Sequence, residues 1–321
     1  MLLGLPFIPA AALAERRPLL VYTAVESEWL PAYKSAFEAV HPEIRIEFVR
    51  ASAGPIASRL MAERKHPQAD VVFGLSAINM EGLRREGLLE PYHPKNAAQL
   101  DPRMCEADFH WFGINAWGGS ICINTAVLKQ HGLPTPKTWE DLTHPQYRGR
   151  IVMPSPQASS TGYMFFLGWL QGFGEKAGWD YFDRLNRNVL FYASSGARPA
   201  AMTAQGEIAI GLSSAAFIKP FQRYDIPVAT VEPEEGIAWD AEACGLPVGS
   251  PHPEDARLFL DFCASEAVAQ IAARFSGIAA IPQFSTPNGH QIASRFLPLD
   301  FNRAGAEKAD VIRRWQTLVR Q

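Results

Sequence analysis

The sequence predicts an α/β protein in two lobes, each a mostly parallel sheet flanked by helices, with two extended crossover strands acting as a hinge. Three observations carry that expectation. Short apolar runs of strand length alternate with segments of helical periodicity along most of the chain. Two longer extended stretches, around Trp111–Asn124 and Trp239–Pro247, interrupt the alternation and read as crossings between lobes. The length, 321 residues, exceeds what a single hydrophobic core usually holds.

The elements follow in order. Leu19–Thr23 is a buried-strand run, and Trp29, Leu30, Tyr33, Phe37 and Val40 then recur at helical spacing before the break at His41–Pro42. Ile44–Val49 alternates in period two, Pro55–Lys65 is helical, Ala69–Phe73 is the next strand, and a helix over Met80–Glu86 stops at Gly87. After the first crossover, Thr138 stands three residues before Asp141, a capping-box analogue. Arg150–Met153 is a strand; Gly162–Gly172 and Trp179–Asn186 are helices; Val189–Tyr192 is a strand; Pro199–Gln205 is a helix. Glu207–Leu212 and Pro227–Val231 are strands, and helices over Glu254–Phe262, Glu266–Phe275 and Ala306–Leu318 complete the chain. The reading assigns residues 19–117 with 246–321 to the first lobe and 118–245 to the second.

Composition narrows the class of function. A net charge of −3 with interspersed basic and acidic residues argues against a nucleic-acid partner or an anionic membrane surface. Residues 1–14 are apolar, too short to span a bilayer, and end in Ala12-Leu13-Ala14; they read as a signal peptide, which implies a soluble exported protein. Cys105, Cys122, Cys244 and Cys263 show no metal-ligand spacing; export would allow a disulfide among them, but each reads first as a buried, unpaired thiol acting as a small apolar residue. His41, His66, His93, His144 and His252 adjoin prolines and read as exposed turn residues. No GxSxG elbow, Walker A loop, GxGxxG fingerprint or HExxH motif is present, so catalysis, a resident metal and a cofactor find no support.

Anion binding finds more. At Ser159-Ser160-Thr161-Gly162 three hydroxyls precede an apolar helix, more than one cap requires, and Ser194-Ser195-Gly196 repeats the arrangement. Ser52-Ala53-Gly54 is a weaker third junction, since a plain turn uses the same residues. Asp240 and Glu242 lie two apart on the second crossover and face the same way, beside Trp239, whose ring can stack on a cation or alkyl chain; Glu26 follows the first strand. A hinge ion pair accounts for the two carboxylates equally well.

Leu20–Ala24, Pro67–Leu75, Gly149–Pro156, Ser159–Gly162, Ser195–Gly196 and Trp239–Glu242 together resemble the periplasmic solute-binding proteins of ABC importers, in the branch assigned to 2-aminoethylphosphonate. The resemblance runs in order from about Leu19 to Pro282. It implies a type II periplasmic binding protein fold, two lobes that close on ligand, no chemistry, and an ABC permease in the inner membrane as partner of a monomer. Ser76 and Ser213 join the expected ligand set on the same ground. Ferric-iron relatives carry an adjacent tyrosine pair in the second lobe, and residues 211–220 hold none, which disfavours iron. The aminophosphonate branch implies an acidic and aromatic pair after Gly211-Leu212-Ser213; Ser214-Ala215-Ala216-Phe217 stand there, so the phosphonate end of a ligand is better supported than its amino end. The expected ligand is thus a small phosphonate or phosphate ester. The alternatives are a ferric-iron or hexose-phosphate binder, an α/β phosphatase or transferase using the same cleft, and a sensing domain of a regulator.

Overall fold

A computed structural model describes residues 16–222 and 224–320; the expected signal peptide, residues 1–14, lies outside them. The chain opens with β1 (Arg17–Thr23), α1 (Leu30–Val40), β2 (Ile44–Arg50), α2 (Ala53–Ala62), β3 (Val71–Ser76), α3 (Ala77–Arg85) and the short β4 (Leu89–Glu90). The middle comprises β5 (Phe112–Asn124), α4 (Thr125–Gln130), β6 (Ile151–Pro154), α5 (Ser160–Gly172), α6 (Glu175–Asn186), β7 (Val189–Ala193), α7 (Arg198–Gln205), β8 (Ile210–Ser214), α8 (Ala215–Gln222) and β9 (Val228–Val231). Then follow β10 (Trp239–Pro247), α9 (Pro253–Cys263), α10 (Glu266–Phe275), α11 (Pro287–Ala293) and α12 (Phe301–Leu318). Among the described residues no helix is long and apolar enough to cross a membrane.

The strands lie in the order β2-β1-β3-β10-β5-β8-β6-β7, with β4 beside β10 and β9 beside β5. β1, β2 and β3 are mutually parallel, as are β6, β7 and β8, so each half gathers its carboxyl strand ends on one edge. β3 is buried at every residue, as a strand covered on both faces must be, whereas β2 on the outer edge alternates buried Ile44 and Ile46 with exposed Arg45 and Glu47. β5 and β10 join the halves. β5 pairs with β10 over Phe112–Gly118 and with β8 over Gly119–Ile123; Trp117 and Gly118, where the partners change, are its half-buried residues.

The helix α5 is apolar on every face and is buried from Thr161 to Leu170, so it forms the centre of its half rather than a surface layer. Phe165, Phe166 and Trp169 pack edge-on or tilted against Trp139, Trp179, Tyr181 and Phe182. The helix α12 bridges the halves, lying on both α3 and α5; there the Tyr163 hydroxyl donates to the Ala304 carbonyl at 2.6 Å.

Several boundaries differ from expectation for local reasons. α2 opens at Ala53 rather than Pro55, because a proline in the first helical turn forfeits no hydrogen bond. The strand expected from Glu207 begins at Ile210: Gly206 takes φ 75° and the Glu207 amide returns to the Met202 carbonyl, so Glu207 closes α7 instead. α4, α8 and α11 are not among the expected elements; α8 opens on Ala215-Ala216 and carries Pro220 inside it. The Thr138–Asp141 box is formed, with the Asp141 amide on the Thr138 hydroxyl and the Asp141 carboxylate on the Lys137 and Thr138 amides.

Candidate functional site

The three hydroxyl-bearing junctions all fall on carboxyl strand ends: Ser52 after β2, Ser159–Gly162 after β6 and Ser194–Gly196 after β7. The latter two touch. The Ser155 amide donates to the Ala193 carbonyl at 2.8 Å, and a β-carbon placed on Gly196 would stand 2.3 Å from Thr161 Oγ1 and 3.2 Å from Ser159 Oγ. The Ser213 hydroxyl, fully buried at the end of β8, donates to the Gly196 carbonyl at 2.6 Å and fixes the junction from a third strand.

Capping explains less of this than it would in an ordinary helix. Ser76, Asn124, Ser265, Thr286 and Asp300 all accept backbone N–H bonds at the starts of their helices. Ser52 and Ser159 sit at N-cap positions in extended conformation, yet neither side chain caps its helix. Their hydroxyls are left for other partners, as are the first amides of α5, which have no intrahelical acceptor. Ser195 is spent differently, its hydroxyl accepting from the Ala197 amide at 3.2 Å. The body of α5 is buried, while its amino end opens toward solvent at half-buried Ser159 and Ser160 beside exposed Gln157 and Ala158. Arg198, exposed in the first turn of α7, makes no ion pair among the described residues and adds a cation that the sequence reading passed over.

The carboxylates gather in the first half. β10 runs antiparallel to β3 with Glu242 opposite Ser76, so its leading residues lie at the carboxyl edge. Glu242 Oε2 accepts from Asn115 Nδ2 at 2.7 Å, and Asn115 Oδ1 is buried with no partner. Glu242 as a residue keeps some surface, but burial of its carboxyl, reinforced by the nearby charge of Glu26, pushes it up to about 7. Glu26 itself is paired with Arg50 at 2.8 Å. Asp240 is fully buried, and burial pushes its carboxyl to about 7 against the pull of the Ala241 amide, the Ser76 hydroxyl and the first amides of α3. One oxygen, Oδ1, accepts from Ala241 at 2.8 Å; Oδ2 has no partner within hydrogen-bonding geometry. Lys308 on α12, its ammonium depressed by burial, stands near Asp240 and donates to Asn79 Oδ1 at 3.2 Å.

Period two on a strand put Asp240 and Glu242 on one face; in the structure they meet different elements, Asp240 the start of α3 and Glu242 the Asn115–Glu26 side. Trp239 is placed in the core. Its ring stacks on Phe296 at 4.9 Å, meets Phe301 edge-on, and donates Nε1–H to the Leu297 carbonyl, which leaves no face for a ligand. Ser76 caps α3 through Asn79 and is nearly buried. Trp117, half-buried, lines a shallow recess open to solvent with Ser214, Ala216, Lys219 and Ser276. A strand signal alone could not single it out, because the half-burial of Trp117 arises only where β5 changes partners.

Among the described residues one group has the geometry of a metal site, Glu106, Asp108 and His110. It precedes β5, which runs parallel to β3 across β10, and so sits at the amino edge, away from the junctions above.

The sequence profile of the family described as bacterial extracellular solute-binding protein matches residues 66–305. A Sinorhizobium fredii protein named as the periplasmic-binding protein of an ABC transporter is 29% identical, over 74% of this chain and 68% of its own length. A Salmonella typhimurium protein named for binding 2-aminoethylphosphonate is 22% identical, over 75% of this chain and 70% of its own. Among solved structures, the periplasmic binding protein AfuA from Actinobacillus pleuropneumoniae, with fructose-6-phosphate bound, superposes with a TM-score of 0.85 at 24% identity, covering 96% of this chain and 99% of that one.

Proposed function

Because this chain belongs to the bacterial extracellular solute-binding protein family, and is therefore a periplasmic, non-enzymatic component of an ABC importer, we propose that its solute is a small phosphonate or phosphate ester with a cationic far end, of the 2-aminoethylphosphonate kind. One observation carries the reading: the polar groups sort by kind. The second half offers donors, namely the free amides of α5, the uncommitted Ser159 hydroxyl, Ser160, Thr161, Ser194 and Arg198. The first half offers acceptors, namely Glu242 and the unpartnered Asn115 Oδ1, with Ser52 and Glu26, the latter already paired with Arg50, at the rim. A phosphoryl group suits the first set and an ammonium the second. Closure of the two halves on such a dipolar solute follows from its touching both, and the loaded form is what the inner-membrane permease receives.

Isothermal titration with 2-aminoethylphosphonate, ethylphosphonate and glucose 6-phosphate tests the reading. The phosphonate is common to the first two, so their difference isolates the amine. We expect the amine to add about 10- to 100-fold in affinity, the worth of a hydrogen bond to a charged partner. Glu242→Gln should erase most of that margin while leaving ethylphosphonate unchanged. The margin should also widen as pH rises through about 7, where Glu242 ionises. Equal binding of the two phosphonates removes the cationic end from the proposal, and tighter binding of glucose 6-phosphate than of either redirects it to a sugar phosphate.

A further inference from the structure

Two of the four cysteines meet inside the first half. Cys244 lies on β10 two residues beyond Glu242, within the slip of its register with β3 and just past the slip with β5. Cys263 is the last residue of α9, the helix laid against β10. Both are buried, at 0% and 2% exposure, as free thiols on elements packed together; Cys244 directs its thiol to the Phe112 carbonyl at 3.4 Å, and the Cys263 thiol neighbours it. The other two are placed differently. Cys105 bridges to Phe112 on the opposite side from Cys244 and directs its thiol to the Asp101 carbonyl. Cys122 belongs to a separate cluster with Ala200, Ala204, Ile218 and Val228.

A periplasmic protein folds in the presence of disulfide-bearing thiol oxidants, and paired thiols brought together there are oxidised unless something keeps them apart. We propose that Cys244 and Cys263 are joined by a disulfide in the exported protein, clamping β10 to α9. In the first step one cysteine thiolate attacks a disulfide of the oxidant, forming a mixed disulfide and releasing one oxidant thiol. The second cysteine thiolate then attacks the sulfur of the first, closing the internal S–S bond and releasing the other oxidant thiol. The two cysteine protons end on the oxidant, which leaves as a dithiol carrying both electrons. Burial holds the Cys244 thiol well above its ordinary range, so the exchange belongs to the stage before α9 is fully seated. Where the solute reading above holds, the bond also steadies the strand that aims Glu242.

The test is a thiol count on the full-length protein recovered from the periplasm, acid-quenched, denatured and alkylated before and after reduction. We expect two reactive thiols before reduction, Cys105 and Cys122, and four after it. A peptide map should show residues 244 and 263 in one cross-linked species, lighter by two hydrogens than the sum of its parts. Cys263→Ser should expose three thiols without reductant and shift the urea midpoint to that of the reduced wild type, with no further effect of reductant. Four reactive thiols before reduction, or a cross-link through Cys105, overturns the proposal. None of these readouts depends on the solute.

Discussion

Gly196→Ala probes whether the two serine-rich junctions act as one seat. The φ of Gly196 lies outside the left-handed region, so alanine meets no backbone penalty there and the effect is steric. The added β-carbon would stand 2.3 Å from Thr161 Oγ1, 2.9 Å from Thr161 Cβ and 3.2 Å from Ser159 Oγ, against the 3.4 Å or more of ordinary contact. Thr161 is 5% exposed and β-branched, so it cannot swing away, and the junctions must part by about 1 Å. Overpacking of this size costs about 1–3 kcal/mol, which corresponds to roughly 5- to 150-fold in affinity if the bound state needs both sets of donors together. Titration with 2-aminoethylphosphonate and ethylphosphonate should show the same loss for both, since the phosphonate end is shared. Gly82→Ala is the control: its β-carbon meets nothing within 4 Å, and it should stabilise α3 by up to about 1 kcal/mol without touching affinity. Binding by the Gly196 variant within twofold of wild type would refute a shared seat.

Ser213→Ala removes the hydroxyl that satisfies the Gly196 carbonyl in a fully buried position; the expected cost is about 1–3 kcal/mol in urea unfolding, and a loss below 0.5 kcal/mol would show that water replaces it. Asp240 titrates near 7 when folded against 3.8 ordinarily, so between those values the unfolded chain is ionised while the folded one holds its proton. Stability therefore falls as pH rises through that window and levels off above about 7, by on the order of 4 kcal/mol at most from this residue, and Asp240→Asn should remove that share of the slope. Trp239→Ala should cost about 3–5 kcal/mol in stability and leave the ratio of amino to non-amino ligand affinities unchanged; a selective loss of the amino ligand would return Trp239 to the site.

What could be read from the chain was the periodic part. Strand and helix alternation, the two crossovers and the hydroxyl-rich junctions all follow from local pattern, because carboxyl strand ends that open helices use few residue types. Pattern failed where long-range pairing decides the outcome. Trp239 and Trp117 both lie on crossover strands and look equivalent in sequence; only the C-terminal segment bearing Phe296 and Leu297 buries the first, and only the switch of partners along β5 exposes the second. Asp240 and Glu242 obey their period, but a register slip after Glu242 and the start of α3 under Asp240 separate their surroundings. Asn115 was invisible because its role depends on standing opposite Glu242 across a strand pair.

The position of β10 between β3 and β5 also governs the order in which the protein can be assembled. β3 emerges early in synthesis, but the strand that covers its free edge, pairing Glu242 with Ser76, is made only after the whole second half has been translated. Until then the nascent first half presents an apolar, fully hydrogen-bond-hungry edge and cannot finish its sheet. The pairing that completes this sheet therefore joins residues far apart in sequence, which places its formation late in folding.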